Sequence, residues 1–157
     1  MRKLIIILMC LFFVGCASVP KALPMKREML PNFRVSSEIA IKNVSEDKEL
    51  KPWTNSIVEF LSSELKKRGA IITDNAQIVL KVDLTKRDQN QFYAYWATKC
   101  TISFFVETGD GYKRFLETYD VSGDIQRACD FSITKGVAAI LTDSRILEYI
   151  KAEKVSY

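Results

Sequence analysis

Between Ile78 and Val106 the chain twice settles into strict two-residue alternation, and that pattern restricts the fold more than any other feature. Ile78, Leu80, Val82 and Leu84 alternate with Val79, Lys81, Asp83 and Thr85. Cys100, Ile102, Phe104 and Val106 do the same in a run from about Phe92 to Glu107. Successive side chains of a strand point to opposite faces, so each run describes a ribbon with one dry and one wet side. A largely antiparallel sheet, covered on one face and solvated on the other, follows. Phe33, Val35, Ser37, Ile39 and Ile41 form an earlier strand. Gly109-Asp110-Gly111 reads as a hairpin turn into a fourth, from Tyr112 to about Asp124, with Phe115, Tyr119 and Val121 on one face.

Helical spacing supplies the covering layer. Trp53, Ile57, Phe60, Leu61 and Leu65 recur on one face after Pro52, which suits a first helical turn, and Gly69 ends the pattern. Burying those five side chains contributes roughly 8–15 kcal/mol before entropy, at ~1.5–3 kcal/mol each. Asp130 is placed to cap a second helix carrying Ile133, Val137, Ile140 and Leu141. Gly136 inside it costs up to about 1 kcal/mol relative to Ala and permits close packing on the sheet. Asp143 or Ser144 opens a short terminal helix with Ile146, Leu147 and Ile150. The predicted fold is α+β, a two-layer sandwich of order β-α-β-β-β-α. Its sheet is four-stranded and mostly antiparallel, with two helices packed on one face.

The first sixteen residues have a different logic. Met1-Arg2-Lys3 is basic, and Leu4 to Val14 is an uncharged apolar run. That run is too short to span a bilayer as a helix, which needs about 20 residues. It ends in Phe13-Val14-Gly15-Cys16, which resembles the lipobox of bacterial lipoproteins, with Phe13 where Leu is usual. The resemblance implies cleavage before Cys16 and a lipid on its sulfur; an ordinary signal peptide with an incidental cysteine is the alternative. Ala17, where an Asp would retain the protein in the inner membrane, implies the periplasmic face of the outer membrane of a Gram-negative cell. Pro20, Pro24 and Pro31, with Lys21, Lys26, Arg27 and Glu28 among them, read as an extended tether reaching about 50 Å. Residues 1–15 are thus a signal peptide, 16–31 a lipidated N-terminus and tether, and 32–157 one periplasmic α+β domain.

Composition excludes much chemistry. With no histidine in 157 residues, Ser-His-Asp, Cys-His and His-metal sites are absent. No glycine-rich phosphate loop occurs. The net charge of +4 includes Arg2 and Lys3, and no block of like charge points to nucleic acid. Asp83, Glu107, Asp120 and Asp124 lie at outward strand positions with no cleft implied, so no acid–base pair, catalytic residue, metal or cofactor beyond the Cys16 lipid is expected. Cys100 and Cys129 are the thiols that remain once Cys10 is removed and Cys16 is acylated. An oxidising compartment favours a disulfide between them, closing a loop of roughly 30 residues and stabilising by about 3–4 kcal/mol. Two separate buried thiols are the alternative. Tyr93, Tyr95 and Trp96, next to Phe92, form the densest aromatic patch. They read either as a docking surface for a protein, glycan or lipid, or as a cover over the end of the core.

Residues 53–151 resemble the YajG-type outer-membrane lipoproteins. The likeness rests on Leu65-Lys66-Lys67-Arg68-Gly69, Ala97-Thr98-Lys99, Tyr119-Asp120-Val121-Ser122-Gly123, and Ile140-Leu141-Thr142-Asp143 followed by Ser144-Arg145-Ile146-Leu147-Glu148-Tyr149-Ile150-Lys151. Cys100 and Cys129 lie outside that pattern. A looser likeness in element order extends to the lipoprotein of the lipopolysaccharide-assembly translocon and to the N-terminal domain of TolB, and such likenesses do not transfer function. The resemblance implies a non-enzymatic outer-membrane lipoprotein, an adaptor or envelope-maintenance factor with an envelope protein, glycan or lipid as partner. The alternative is a lipopolysaccharide-assembly lipoprotein that binds a glycolipid or a barrel protein. That alternative asks for clustered cations on the open sheet face; outward Arg34, Lys42, Lys81 and Lys99 favour it, and Glu38 and Asp83 oppose it. The unpaired sheet edges leave room for a homodimer.

Overall fold

A computed structural model describes residues 30–92 and 97–152. The chain runs β1 (Glu38–Asn43), α1 (Lys51–Lys66), β2 (Ile71–Ile72), β3 (Ile78–Phe92), β4 (Ala97–Thr108), β5 (Lys113–Ser122), α2 (Ile125–Thr142) and α3 (Ser144–Lys151). The strands form one sheet in the order β2-β1-β3-β4-β5. Two layers are present, but the four-stranded, two-helix order is wrong. The sheet has five strands and three helices accompany it.

The sheet is also less antiparallel than alternation implied. β1 pairs in parallel with both β2 and β3, whereas β3–β4 and β4–β5 are antiparallel. The parallel pairing follows from α1, which carries the chain back across the sheet between β1 and the strands beside it. β2 escaped the sequence reading because two residues cannot display a period. The first strand also starts later than expected. Phe33 and Val35 are buried but precede β1, and the Val35 N–H donates to Arg68 O at 2.9 Å.

One core lies between the layers. Ile39, Leu80, Leu84, Ile102 and Phe104 from the sheet meet Ile57, Leu61, Leu65, Ile133, Ile140 and Leu141 from the helices, all sealed from solvent. α2 comes close to the sheet at Gly136, where a Cβ would stand 2.7 Å from the Phe104 ring. Its N-cap is Asp124, which accepts from the Gln126 and Arg127 N–H groups. Asp130, the cap expected from sequence, lies buried a turn further in. Asp143 does open α3, accepting from the Ile146 N–H at 3.0 Å. The Tyr149 hydroxyl of α3 then accepts from the Val79 and Gly109 N–H groups, each at 3.1 Å, which fastens this helix to the sheet.

β3 outruns its neighbour. It pairs with β1 only from Ile78 to Val82 and continues to Phe92 with β4 alone. Where β1 ends, Thr54 of α1 takes over: its hydroxyl accepts from the Leu84 N–H at 3.2 Å. The register then shifts between Leu84 and Lys86. This bulge turns Arg87 and Gln89 towards the helices, opposite Ile102 and Cys100. The Arg87 guanidinium stacks on Trp53 at 4.3 Å, and the Gln89 amide reaches Cys129 Sγ at 3.6 Å.

Candidate functional site

Cys16 and the tether up to residue 29, and Tyr93, Tyr95 and Trp96, lie outside the described residues. Phe92 and Ala97 flank the aromatic patch, and Phe92 is 47% exposed. Cys100 and Cys129 are joined in a disulfide with Cα atoms 5.1 Å apart, which ties β4 to the first turns of α2. The Ser132 hydroxyl donates to Cys100 O at 2.7 Å beside it. Both cysteines are fully buried, so the link sits beneath α2 rather than at a surface.

The carboxylates do not converge. Asp124 caps α2, and Asp120 pairs with Lys135 at 2.9 Å. Glu107 lies between Lys113 and Lys81, each 2.9 Å away. Hydrogen bonds from Lys113 and then Lys81 hold its carboxyl below the usual range, against the upward push of burial. Among the described residues, no group of three or more Cys, Asp or Glu side chains is placed to hold a metal.

Two surfaces stand out instead. The first is the open face of the sheet at β5. The register sets Phe105 opposite Phe115, with ring centroids 5.8 Å apart, and Tyr119 opposite Thr101. Phe115, Tyr119 and Val121 are 70%, 54% and 47% exposed. Lys99 lies over the Tyr119 ring at 4.2 Å. Phe115, Tyr119 and Val121 therefore point away from the core together with Lys113 and Glu117, whereas Leu116, Thr118 and Asp120 point under α2. The polar set is satisfied there: the Thr118 hydroxyl donates to Ser132 O at 2.8 Å, and Asp120 pairs with Lys135. The sequence reading puts Asp120 at an outward position, and so Phe115, Tyr119 and Val121 inward; the structure reverses both, with Asp120 opposite buried Cys100. Lys113 and Glu117, charged and in phase with Phe115, Tyr119 and Val121, are the signal that could have marked that face as the open one.

The second surface is a cavity of about 1090 Å³ where the described chain begins, lined by Leu30, Phe33, Arg34, Glu64, Lys67 and Arg68. Glu64 is almost wholly buried and accepts from Lys67 at 2.6 Å and Arg68 at 2.9 Å. Burial pushes its carboxyl upward, but the hydrogen bonds and charges of Lys67 and Arg68 outweigh that and hold it below the ordinary range. Arg68 and Lys151 also flank the Phe33 ring at 5.0 and 5.2 Å. In the sequence Lys66-Lys67-Arg68 directly precede the Gly69 that ends the helical pattern, with no sign that Glu64 gathers two of them.

Among the described residues no helix is long and apolar enough to cross a membrane. No protein-family model matches the chain, and no curated relative does. Solved structures do match. A DUF330-family protein of Xanthomonas campestris superimposes with a TM-score of 0.59 at 10% identity, over 78% of this chain and 90% of that one. A minor lipoprotein of Acinetobacter baumannii gives 0.43 at 11% identity, over 69% and 90%. A lipoprotein of Neisseria meningitidis gives 0.42 at 10% identity, over 74% and 99%. The likeness is to small bacterial proteins of the DUF330 type and does not single out the YajG-type lipoproteins; it establishes the fold alone.

Proposed function

We propose that this chain is a lipid-anchored protein of the Gram-negative envelope, held through Cys16 to the periplasmic face of the outer membrane, and that it acts by binding another envelope component. The observation that carries this reading is the basic start, the apolar run and the Phe13-Val14-Gly15-Cys16 ending, followed by a domain with a core of its own. Two or more acyl chains hold a protein stably at a bilayer where one is marginal. An adaptor role is supported by a histidine-free sequence and by carboxylates that serve in caps and ion pairs. The glycolipid alternative finds little help on the open face. There Lys81 and Lys113 both pair with Glu107, and Lys86 pairs with Asp88.

Cys16→Ser tests the anchor. Labelled palmitate is expected to vanish from the protein, and the protein to leave the membrane fraction. Unchanged labelling and sedimentation would overturn the reading. Crosslinking and mass spectrometry of the membrane fraction then tests the adaptor role, with an envelope protein as the expected product; recovery of glycolipid alone would favour the alternative.

A further inference from the structure

We propose that β5 is a self-association edge, through which two copies of this chain pair antiparallel about Phe115. The proposal is independent of the lipid anchor and rests on main-chain groups, charge and apolar exposure at one margin of the sheet.

β5 is the last strand of the sheet and ten residues long, with neither proline nor bulge. Natural sheets blunt an exposed edge with such devices or keep it short. The Thr108 N–H donates to Tyr112 O at 2.9 Å, which sets the parity of the ladder. In an antiparallel pair, alternate residues turn their N–H and C=O to the neighbour. Arg114, Leu116, Thr118 and Asp120 therefore bond β4, and Lys113, Phe115, Glu117, Tyr119 and Val121 face the free margin. The far end of that margin is already engaged. Lys135 Nζ donates to Tyr119 O at 3.1 Å, and the Val121 N–H donates to Asp120 Oδ1 at 2.6 Å. What remains free among the described residues is the run Lys113, Phe115, Glu117, with three donors and three acceptors in line.

The side chains of that run fit a second copy of themselves. Lys113, Phe115 and Glu117 all lie on the open face, cation first and carboxylate last. An antiparallel copy centred on Phe115 sets Lys113, which also pairs with Glu107 of its own chain at 2.9 Å, opposite Glu117 of the other copy, twice, and matches every free main-chain group. A register moved along to centre on Glu117 sets two carboxylates face to face, which like-charge repulsion disfavours. At the centre, Phe115 is the most exposed large apolar side chain among the described residues, at 70%. Beside it stands Phe105, so the paired copies assemble four rings on one continuous face. The contact is smaller than a standard stable interface, so the dimer is weak and reversible.

Sedimentation equilibrium of residues 16–157 carrying Cys16→Ser, over about a hundredfold concentration range, reads the association directly. The mass is expected to rise from one chain towards two. Phe115→Pro removes an N–H that faces the margin and leaves the bonds to β4 in place, so it should abolish the dimer with the fold retained by circular dichroism. Lys113→Glu and Glu117→Lys should each weaken pairing at least tenfold, and the double reversal should restore it. A monomer throughout would overturn the proposal. So would a dimer indifferent to both charge variants and to Phe115→Pro.

Discussion

At one margin the sheet ends in two residues, Ile71–Ile72, and at the other in ten, Lys113–Ser122. The short margin is stitched by its own neighbours. The Ile71 N–H donates to Ser37 O and the Thr73 N–H to Ile39 O, each at 3.1 Å. Just before it, Gly69 and the Glu64 cluster close α1. Its brevity leaves little template for another strand, so an exposed Ile71 there is harmless. The long margin is backed instead. α2 lies under it, held by the disulfide, by Thr118 on Ser132 and by Lys135 on Asp120. Backing secures the covered face of β5 and leaves its open face and the Lys113-to-Glu117 stretch of its outer rim bare. The contrast teaches that a sheet can retire one margin by length alone, whereas a long margin supported only from beneath stays available.

The largest expected effect falls on the backed side. Reducing the Cys100–Cys129 bond frees a loop of 29 residues and should lower the unfolding free energy by about 3–4 kcal/mol. Urea midpoints with and without reductant measure it, and equal midpoints would mean that packing alone holds α2 to β4. Next comes the stitched side. Gly69→Ala forces a side chain into φ 99° with its Cβ 2.7 Å from Val35 O, and should cost at least about 1–2 kcal/mol. Gly111→Ala, at φ 91° in open space, carries only the backbone share of that penalty. Similar melting temperatures for the two variants would show that the Val35 carbonyl yields.

Acid should loosen the stitched margin further. The folded Glu64 carboxyl is held low, so the unfolded chain takes up its proton first. The stability this contributes is present above the ordinary glutamate value of about 4.3 and is lost as pH falls through the lower folded value. Glu64→Gln should cost about 1 kcal/mol at neutral pH and flatten the acid limb of a stability–pH profile; an unaltered limb would assign it to other groups. Smallest is Phe115→Thr, which should change monomer stability by less than about 0.5 kcal/mol in dilute solution. A larger loss would mean that the Phe105–Phe115 contact supports the sheet itself.

The sequence disclosed whatever repeats. Four alternating apolar residues in β3 and again in β4 have only one reading, and the Trp53-to-Leu65 face with Pro52 and Gly69 bracketing it left little freedom for α1. What it hid were features without a period. Ile71–Ile72 is too brief to show one, and parallel pairing of β1 depends on where α1 returns the chain. The bulge after Leu84 reverses parity inside β3, so Arg87 and Gln89 belong to the covered side despite their polarity. β5 misled for a related reason. Under α2 Thr118 and Asp120 find hydrogen-bond and ion-pair partners, which lets Phe115, Tyr119 and Val121 point out. The sequence reading puts the cap at Asp130 because the strand is expected to run to about Asp124; β5 ends at Ser122, which leaves Asp124 free to cap α2.

The unequal lengths of β1 and β3 set a direction. Leu30 to Ser36 lead into β1, which runs parallel to β3, so the chain arrives at the end of the sheet where β3 begins. From Val82, β3 runs ten residues further, about 30 Å at ~3.3 Å per residue, flanked on one side only. Under the proposed anchoring through Cys16, this ribbon reaches away from the side at which the chain enters the sheet. Whatever meets Phe92 or Ala97 meets the end of the sheet opposite the one at which the chain enters.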